Sequence, residues 1–580
     1  MQSADVAHLL GDFNNEEFVY AGITSTFHES DGTYFVRTDG PDGELHDYAI
    51  GYTFGADPLQ QYLIEFPDGR LQALSIAWDT RPAEEGGQRW FHLHPNEEIV
   101  AGDELHWTAA GYNWNFRCAE CHSTNLRKGY DAETDTYRTT WTDINVGCEA
   151  CHGPGSSHVA WAEEPEETSV TRKGLVVRLD GAGNWERDLT SGNAWLPVPQ
   201  RGADETELCG RCHARRSQFS ENYVHGEPLL DTHRVQLLDP GMYHADGQIL
   251  DEVYVYGSFR QSRMYAAGVT CSDCHDPHSL KLRVEGDGVC LQCHSAERFA
   301  TPEHHHHEAG TDASLCVSCH MPQRTYMVVD PRRDHSFRIP RPDLSVEYAT
   351  PNACNDCHED EDAVWAAAAI ENWYGPERKG FQDYTHALFA VRNALPESRG
   401  LLVEVATDTS ASAIARATAI QELGNQLDRA TFGIVASGLQ AEDPIVRRAA
   451  VSALESVEPS MGVGLLFPLL DDPVRGVRIE AARLLAGIPP GDLERPMLDT
   501  IERVMNEYIE AERFNTDHPS GWLNLGNFYT ARQDYDEAGT AFDNALKLDP
   551  TFVPAYVNRA EMERRRGNEG AVEEILLAGL

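Results

Sequence analysis

Seven copies of one five-residue pattern, Cys-x-x-Cys-His, account for every cysteine of this 580-residue chain. Numbered motifs 1 to 7 in chain order, they contain the pairs Cys118 and Cys121, Cys148 and Cys151, Cys209 and Cys212, Cys271 and Cys274, Cys290 and Cys293, Cys316 and Cys319, and Cys354 and Cys357. The histidines that close them are His122, His152, His213, His275, His294, His320 and His358. Chance would give about 0.01 such matches at this composition.

Cys-x-x-Cys-His is the attachment signature of c-type haem. Its two thiols form thioethers with the two haem vinyl groups, and the adjacent histidine is the proximal ligand of the iron. A zinc site would leave the residue after the second cysteine free to vary, and a disulfide framework would need no histidine. The sequence therefore predicts seven covalently bound haem c groups.

The density of the motifs predicts how this part of the chain folds. Residues 118–358 number 241, which divided by seven gives about 34 residues per haem. Helix and strand periodicity is poor there, so we expect the haems to form the core, with short helices and loops around them. The same region without haem is expected to be largely unfolded.

Eighteen histidines remain for the distal faces of the irons, since 25 minus seven is 18. Bis-histidine ligation is therefore possible by count, and His158, His278 and His335 are the favoured candidates. Met321 directly follows a proximal histidine and cannot reach round the same iron. Further candidates are His92, His94, His106, His225, His233, His244 and the run 304–307, which could instead be an exposed metal-binding patch.

The segments on either side of the motifs predict a multidomain chain. Residues 1–110 read as a small β meander, with strands at 18–24, 33–38, 47–54, 61–66 and 71–78 separated by Asp-Gly turns. Residues 111–362 form the haem-organised region of mainly irregular structure and short helices. An all-α repeat solenoid follows, with HEAT-like repeats over 363–492 and tetratricopeptide repeats over 493–580.

The two repeat types rest on different patterns. Arg416, Arg447 and Arg478 recur every 31 residues, which is typical of HEAT-type helical hairpins. The tetratricopeptide pattern is matched at all eight positions by Trp522, Leu525, Gly526, Tyr529, Ala538, Phe542, Ala545 and Pro550. Such a fold offers a concave surface, and the usual function of that surface is to dock a protein partner.

With these parts assembled, the sequence resembles multihaem c-type cytochromes of the cytochrome c-554/c-552-like group that carry HEAT-like and tetratricopeptide repeats. The resemblance rests on Cys-His-Gly-Pro-Gly-Ser-Ser-His at 151–158, Cys-Ser-Asp-Cys-His-Asp-Pro-His-Ser at 271–279 and Cys-Val-Ser-Cys-His-Met-Pro at 316–322. In such relatives the histidines equivalent to His158 and His278 often act as distal ligands.

The resemblance also implies an export leader and a further haem motif near the N-terminus. The first residues, Met-Gln-Ser-Ala-Asp-Val, are neither basic nor apolar enough for export. Haem is attached outside the cytoplasmic membrane, so we expect a periplasmic or otherwise extracytoplasmic protein. We also expect that Met1 is not the true start and that a leader, with an eighth haem, precedes it.

The leading functional hypothesis is electron transfer between extracytoplasmic redox partners, which would be other redox proteins or quinol-linked donors, with a protein partner on the tetratricopeptide surface. The alternative is a reductase of small nitrogen or sulfur oxyanions that uses one open haem, and a third reading is a scaffold. Because all seven motifs end in histidine and none in lysine, an electron-transfer protein is favoured over an enzyme, and no catalytic residue is assigned.

Charge and hydropathy exclude other classes. The formal charge of −46 excludes nucleic-acid binding through basic patches. No apolar run approaches the roughly 18 residues of a membrane span. Only five of the 47 basic residues are lysines, so the acidity either suits a saline environment or steers a basic partner cytochrome.

Overall fold

The N-terminal segment forms one nine-stranded antiparallel sheet, in the order β2-β3-β4-β5-β6-β8-β9, with β1 paired to β5 and β7 to β6. Its strands are β1 (Gln2–Ser3), β2 (Asn14–Tyr20), β3 (Ile23–Ser30), β4 (Thr33–Asp39), β5 (Leu45–Phe54), β6 (Leu59–Glu65), β7 (Leu71–Ala73), β8 (Ile76–Asp79) and β9 (Arg89–His92). The predicted β-rich module is therefore present.

Two of the predicted strands are wrong in detail. The strand expected at 18–24 is a hairpin, because Ala21 and Gly22 take the left-handed conformation, with φ of 47° and 80°, between paired Tyr20 and Ile23. The strand expected at 71–78 is two strands, since Leu74 leaves the ladder while its N–H donates to the Tyr62 carbonyl at 2.9 Å. Strand β9 was not predicted.

Aromatic packing forms the core of this sheet. The Trp90 ring stacks on Phe27 with centroids 3.5 Å apart, and Phe13 packs edge-on against both. Tyr62 and Trp78 complete the buried aromatic cluster. Such rings each bury a large apolar area, so the sheet has a core made from its own side chains.

This computed structural model describes residues 1–164, 171–179, 181, 183–197, 203–377, 380–489, 491 and 494–580. They group into two compact units. Unit 1 comprises Met1–Val176, Arg324–Arg332 and Thr516–His518, and it contains motifs 1 and 2. Unit 2 comprises Val177–Gln323, Arg333–Asn515 and Pro519–Leu580, and it contains motifs 3 to 7. The four-part division by sequence stays a prediction.

Short elements dominate the motif-bearing part of the chain. Its helices are α1 (Trp114–Arg117), α2 (Ala119–His122), α3 (Cys148–His152), α4 (Ser156–Glu163), α5 (Ala203–His213), α6 (Tyr256–Arg260), α7 (Arg263–Ala266), α8 (Cys271–Cys274), α9 (Gly288–Leu291), α10 (Ala296–Phe299), α11 (Pro302–His305), α12 (Cys316–His320) and α13 (Pro342–Tyr348). Paired short strands are β10 (Tyr130–Asp131) with β11 (Thr136–Tyr137), β12 (Glu186–Arg187) with β13 (Ala194–Trp195), β14 (Arg216–Gln218) with β15 (His233–Val235), β16 (His275–Asp276) with β17 (Lys281–Leu282), and β18 (Gln323–Tyr326) with β19 (Asp330–Arg333).

One stretch of unit 2 lacks an ordinary hydrophobic core. Between residues 263 and 323, all of which are described, the buried side chains are those of Thr270 and Ser272. Motifs 4, 5 and 6 lie in this stretch. The half-buried surroundings of these motifs fit a fold in which large planar apolar groups replace aliphatic packing.

The C-terminal part is helical, as predicted. Its helices are α14 (Ala363–Tyr374), α15 (Thr385–Arg392), α16 (Ser398–Thr407), α17 (Ala413–Leu423), α18 (Arg429–Gly438), α19 (Pro444–Ser452), α20 (Pro459–Leu466), α21 (Arg475–Leu485), α22 (Arg495–Arg513), α23 (Pro519–Arg532), α24 (Tyr535–Leu548), α25 (Val553–Arg566) and α26 (Glu569–Ala578). Asp443 caps α19 by accepting the Ile445 N–H. Helix α21 begins at Arg475, two residues after Pro473.

Two of the arginines that recur every 31 residues make the same contact with the loop before their helix. The Arg447 guanidinium donates to the carbonyls of residues 441 and 442, and the Arg478 guanidinium donates to those of residues 472 and 473. Arg447 also binds the Asp472 carboxylate of the next repeat through two hydrogen bonds of 2.7 and 2.9 Å. Each arginine thus ties its helix to the preceding loop.

The HEAT-like helices hold a segment of unit 2 that lies between motifs 3 and 4. The Leu238 N–H donates to Thr418 Oγ1 at 3.1 Å, and Arg392 donates to the Leu238 carbonyl at 2.6 Å. Gly476 approaches the Leu230 carbonyl so closely that a Cβ would lie 2.5 Å from its oxygen. The repeats therefore pack on the chain's own residues along this line.

A buried ion pair in unit 1 gives a stability prediction. Lys128 Nζ lies 2.8 Å from the Asp517 carboxylate, and their side chains are 6% and 0% exposed. The substitution Lys128→Met strands a buried charge and is expected to destabilise unit 1 by about 3–5 kcal/mol. Hydrogen exchange of unit 1 against denaturant measures this. The exposed Arg37–Asp47 pair of unit 1 is the control, and Arg37→Met should cost about 1 kcal/mol or less.

The buried His92 gives a pH prediction for the sheet. Its ring stacks on Tyr20 with centroids 3.7 Å apart, and burial lowers its pKa to about 4. In the folded sheet the His92 imidazole therefore stays neutral down to about pH 4, whereas in the unfolded chain it binds a proton below about pH 6.5. Stability is full above that pH and falls by up to about 3 kcal/mol as the pH drops to 4. Denaturation at pH 7 and 4.5 checks this, and His92→Asn should flatten the slope.

Candidate haem centres

Most motifs form a single helical turn. The N–H of the closing histidine donates to the carbonyl of the first cysteine at 3.2 Å for His122, 3.0 Å for His294 and 3.0 Å for His358. Residues four apart in such a turn lie on one face, so the histidine and the first sulfur point to the same side. This is the arrangement that a haem bound through two thioethers and a proximal imidazole needs.

Motif 4 departs from that geometry. Helix α8 ends at Cys274, and His275 is extended, with φ of −103° and ψ of 145°, at the start of β16. Thr270 and Asp273 form a capping box at the other end of the turn. The imidazole of this motif therefore leaves the turn and lies against a more distant part of unit 2.

Three motif histidines face a second histidine ring in unit 2. The ring centroids are 6.4 Å apart for His275 and His335, and the planes differ by 29°. The other two pairs are His320 with His304 at 6.2 Å and 14°, and His358 with His307 at 6.2 Å and 32°. Two imidazoles bound to one metal ion at about 2.0 Å place their centres about 6 Å apart. The residues present fit three bis-histidine haem irons.

Hydrogen bonds at the opposite ring nitrogens agree with this fit. Nδ1 of His320 lies 2.9 Å from the Arg338 carbonyl, and Nδ1 of His335 lies 2.9 Å from the Arg333 carbonyl. Nδ1 of His307 lies 2.5 Å from the His305 carbonyl. A ligand histidine ordinarily donates its other N–H to such an acceptor, which turns Nε2 towards the metal.

Burial favours the neutral form of four of these imidazoles, those of His275, His304, His320 and His335. It lowers the pKa of His275, His320 and His335, and in the last two the carbonyl contact opposes the shift. Burial, and to a smaller extent the nearby His320, also lower the pKa of His304. A metal ligand must be the neutral imidazole, so the environment favours the ligating form.

The tetrahistidine run separates its members. Helix α11 ends at His305, and His306 takes the left-handed conformation with φ of 56°. This turn directs His304 to motif 6 and His307 to motif 7, while the His306 ring stacks on Trp373 with centroids 4.2 Å apart. The sequence predicted that one or two members of the run bind iron but did not indicate which.

His158 and His278, the other two favoured distal ligands, have contacts of a different kind. In unit 1, Nδ1 of His158 lies 2.8 Å from the Lys173 carbonyl, and its ring stacks on Trp161. In unit 2, His278 exposes 77% of its side chain, with Nδ1 3.7 Å from the Asp276 carboxylate. Ligation by these two histidines stays a prediction.

Motif 1 lies against the sheet of unit 1. The His122 ring packs edge-on against Phe54 with centroids 5.2 Å apart, and burial lowers its pKa to about 4. His106 instead uses both ring nitrogens within the sheet module, Nδ1 with Thr108 at 2.7 Å and Nε2 with Asp39 at 3.1 Å. Its contacts therefore favour a structural role over iron ligation.

The sulfurs of consecutive motifs in unit 2 lie close together. A hydrogen bond with Cys271 raises the pKa of Cys209, and one with Cys290 raises that of Cys316. These contacts join motif 3 to motif 4 and motif 5 to motif 6.

Two further neighbouring pairs complete the series. Burial, then Asp273 and the thiols of Cys290 and Cys293, raise the pKa of Cys274 to about 12, which joins motif 4 to motif 5. Burial and then Cys319 raise the pKa of Cys354 to about 11, which joins motif 6 to motif 7. Each of motifs 3 to 6 thus has a cysteine near a cysteine of the next motif in the chain.

Comparisons with known proteins agree with the class that these centres define. The family model for cytochrome c554 and c-prime matches residues 86–153, which include motifs 1 and 2. The HEAT repeat model matches residues 400–486, and the tetratricopeptide repeat model matches residues 519–552. The resemblance to multihaem c-type cytochromes with HEAT and tetratricopeptide repeats is confirmed.

Two individual proteins are similar to the chain. The C-type polyheme cytochrome OmcC of Geobacter sulfurreducens (strain ATCC 51573 / DSM 12127 / PCA) is 23% identical over 217 residues, which cover 35% of this chain and 25% of OmcC. The match thus spans about a quarter of that relative. The crystal structure of outer cell wall cytochrome OcwA aligns with a TM-score of 0.37 and 16% identity, over 70% of this chain and 88% of that one.

Proposed function

We propose that this chain is a multihaem c-type cytochrome that carries electrons between extracytoplasmic redox partners through seven covalently bound haems. The observation that carries the proposal is the series of adjacent attachment points from motif 3 to motif 7, because electron transfer requires closely spaced centres. The fourteen motif cysteines anchor the haems, and the seven motif histidines are their proximal ligands. Covalent attachment outside the cytoplasmic membrane supports the extracytoplasmic location.

The distal ligands proposed for unit 2 follow from the ring pairs. His335 serves the iron of His275, His304 that of His320, and His307 that of His358. His158 and His278 are proposed as ligands on the sequence pattern. Bound haem supplies the one-electron redox chemistry.

The side chains of this protein adjust and protect that chemistry. A second histidine closes the distal face to water and small molecules. Compared with a methionine it lowers the potential, and surrounding carboxylates lower it further because they favour the ferric state. The carbonyl of Arg338 holds the His320 N–H, which fixes the ring and increases its basicity.

The order of the attachment points gives the proposed path two ends within unit 2, motif 3 and motif 7. His304 and His307, which would hold the sixth and seventh haem irons, are three residues apart in the chain. The HEAT-like helices hold the segment that contains Leu238 and thereby fix the chain between motifs 3 and 4. A partner on the tetratricopeptide surface remains part of the proposal.

A redox titration of the haem-loaded protein tests the function. We expect seven haems per chain by mass and pyridine haemochrome, all reversibly reduced in one-electron steps. We expect no turnover of nitrite, hydroxylamine or tetrathionate. Sustained turnover of one of these oxyanions or amines, together with a five-coordinate haem, would favour the reductase alternative instead.

A further inference from the structure

Helix α14 brings together the two segments that carry the proposed ligands of the seventh haem. Near its start, Trp365 lies against His358 with ring centroids 4.8 Å apart. At its end, Trp373 stacks on His306, and the Tyr374 hydroxyl donates to the His304 carbonyl. The helix therefore lies beside the last centre of the series.

One face of the same helix, opposite the buried Ala366 and Ile370, exposes Val364 (59%) and Trp365 (37%). Trp373 and Tyr374 are also exposed, 38% and 42%, at the end of the helix but on other sides of it. In motif 7, which lies next to it, Cys357 is exposed, whereas the other cysteines of motifs 3 to 7 are half-buried. Exposed aromatic side chains with an apolar neighbour are typical of the centre of a protein interface.

Acidic residues flank this face along the chain and are referred to as its carboxylate rim. Residues 351–377, which Arg378 and Lys379 follow directly, contain no lysine or arginine. Their carboxylates are all exposed: Asp356, Glu359, Asp360, Glu361, Asp362, Glu371 and Glu377. Such a rim attracts a basic partner, accelerates its encounter at low salt and repels an acidic protein, including a second copy of this chain.

We propose that the exposed face of α14, with its carboxylate rim, is the docking site of a basic redox protein that exchanges electrons with the seventh haem. This inference rests on the proposed function and adds the partner and the exit point. One electron passes from donor to acceptor, so the seventh centre is oxidised as the partner's one-electron centre is reduced, or the reverse. No bond or proton moves.

Stopped-flow oxidation of the prereduced, haem-loaded full chain tests the site. The probe is a basic single-haem cytochrome c, and an acidic single-haem cytochrome c is run beside it. The variant D360N/E361Q/E371Q is expected to lower the second-order rate constant for the basic probe by about tenfold at low ionic strength. The control D499N/E573Q/E574Q removes three exposed carboxylates elsewhere in unit 2 and should change it less than about twofold.

The apolar part of the face is tested separately. Val364→Ser keeps the charge and avoids the aromatic residues that contact histidines, and it should lower the rate at high salt by about threefold. Equal effects of the two charge variants would overturn the proposal and leave the acidity as a general adaptation. So would equal rates with the acidic and basic probes.

Ferricyanide separates this proposal from the function on which it rests. If the holoprotein reduces ferricyanide at a normal rate, but substituting neither the α14 carboxylates nor Val364 changes its rate with the basic probe, only the proposed docking site is contradicted. A holoprotein that cannot be oxidised reversibly by ferricyanide would contradict the electron-transfer function itself.

Discussion

Replacing His307 with alanine is expected to convert one haem in seven from low-spin to high-spin ferric. The His307 ring faces His358 at 6.2 Å, and its Nδ1 contacts the His305 carbonyl, so its Nε2 side is the one offered to iron. Loss of a strong nitrogen ligand should also raise the potential of that haem by on the order of 0.1 V, within the roughly 0.8 V that axial ligands span. Low-temperature electron paramagnetic resonance with a redox titration measures both.

A neighbour in the same run is the matched control. His306 stacks on Trp373 and has a positive φ, which asparagine tolerates, so His306→Asn should leave every haem low-spin. His304→Ala should convert a different haem, that of motif 6, and the double variant should convert two. An unchanged spectrum in both alanine variants would contradict the assignment of His304 and His307.

Removing the fifth attachment site, by Cys290→Ser with Cys293→Ser, is expected to unfold residues 263–323 locally. The buried side chains of this stretch are those of Thr270 and Ser272, so little else opposes the entropy of the free chain. Hydrogen-exchange protection there should fall to about 0 kcal/mol, while helices α17, α19 and α21 keep theirs.

Motif 1 supplies the contrast for this prediction. Cys118 packs against a cluster that includes Leu71 and Trp114, so Cys118→Ser with Cys121→Ser leaves the sheet a core of its own. Protection of strands β6 to β9 should survive that change. Retained protection of residues 263–323 in the motif 5 variant would show that these haems are not the core.

The regular parts of the fold could be predicted because local pattern and packing agree there. The 31-residue spacing of Arg447 and Arg478 reflects one repeated contact with a preceding loop. The tetratricopeptide pattern likewise follows direct packing, since Gly526 leaves room for the Phe542 ring. The hairpin at residue 21 was missed because alanine rarely takes a left-handed turn position.

The haem site likewise has one part that the sequence predicts and one part that it does not. The attachment residues are contiguous in sequence, so the motif alone defined them. The proposed distal ligands are not contiguous with the motifs, because the His335 ring meets the His275 ring across 60 residues of chain. In the run of four histidines only the turn at His306 decides which ring faces which motif, and no sequence pattern indicated that turn.

Electron paramagnetic resonance and magnetic circular dichroism of the fully matured holoprotein test the central claim most directly. Seven covalent haems per chain, with those of motifs 4, 6 and 7 low-spin and bis-histidine ligated, are the predicted result. Two results would contradict it. One is fewer than seven haems per chain, and the other is a high-spin signal that does not increase in any of the variants His304→Ala, His307→Ala and His335→Ala.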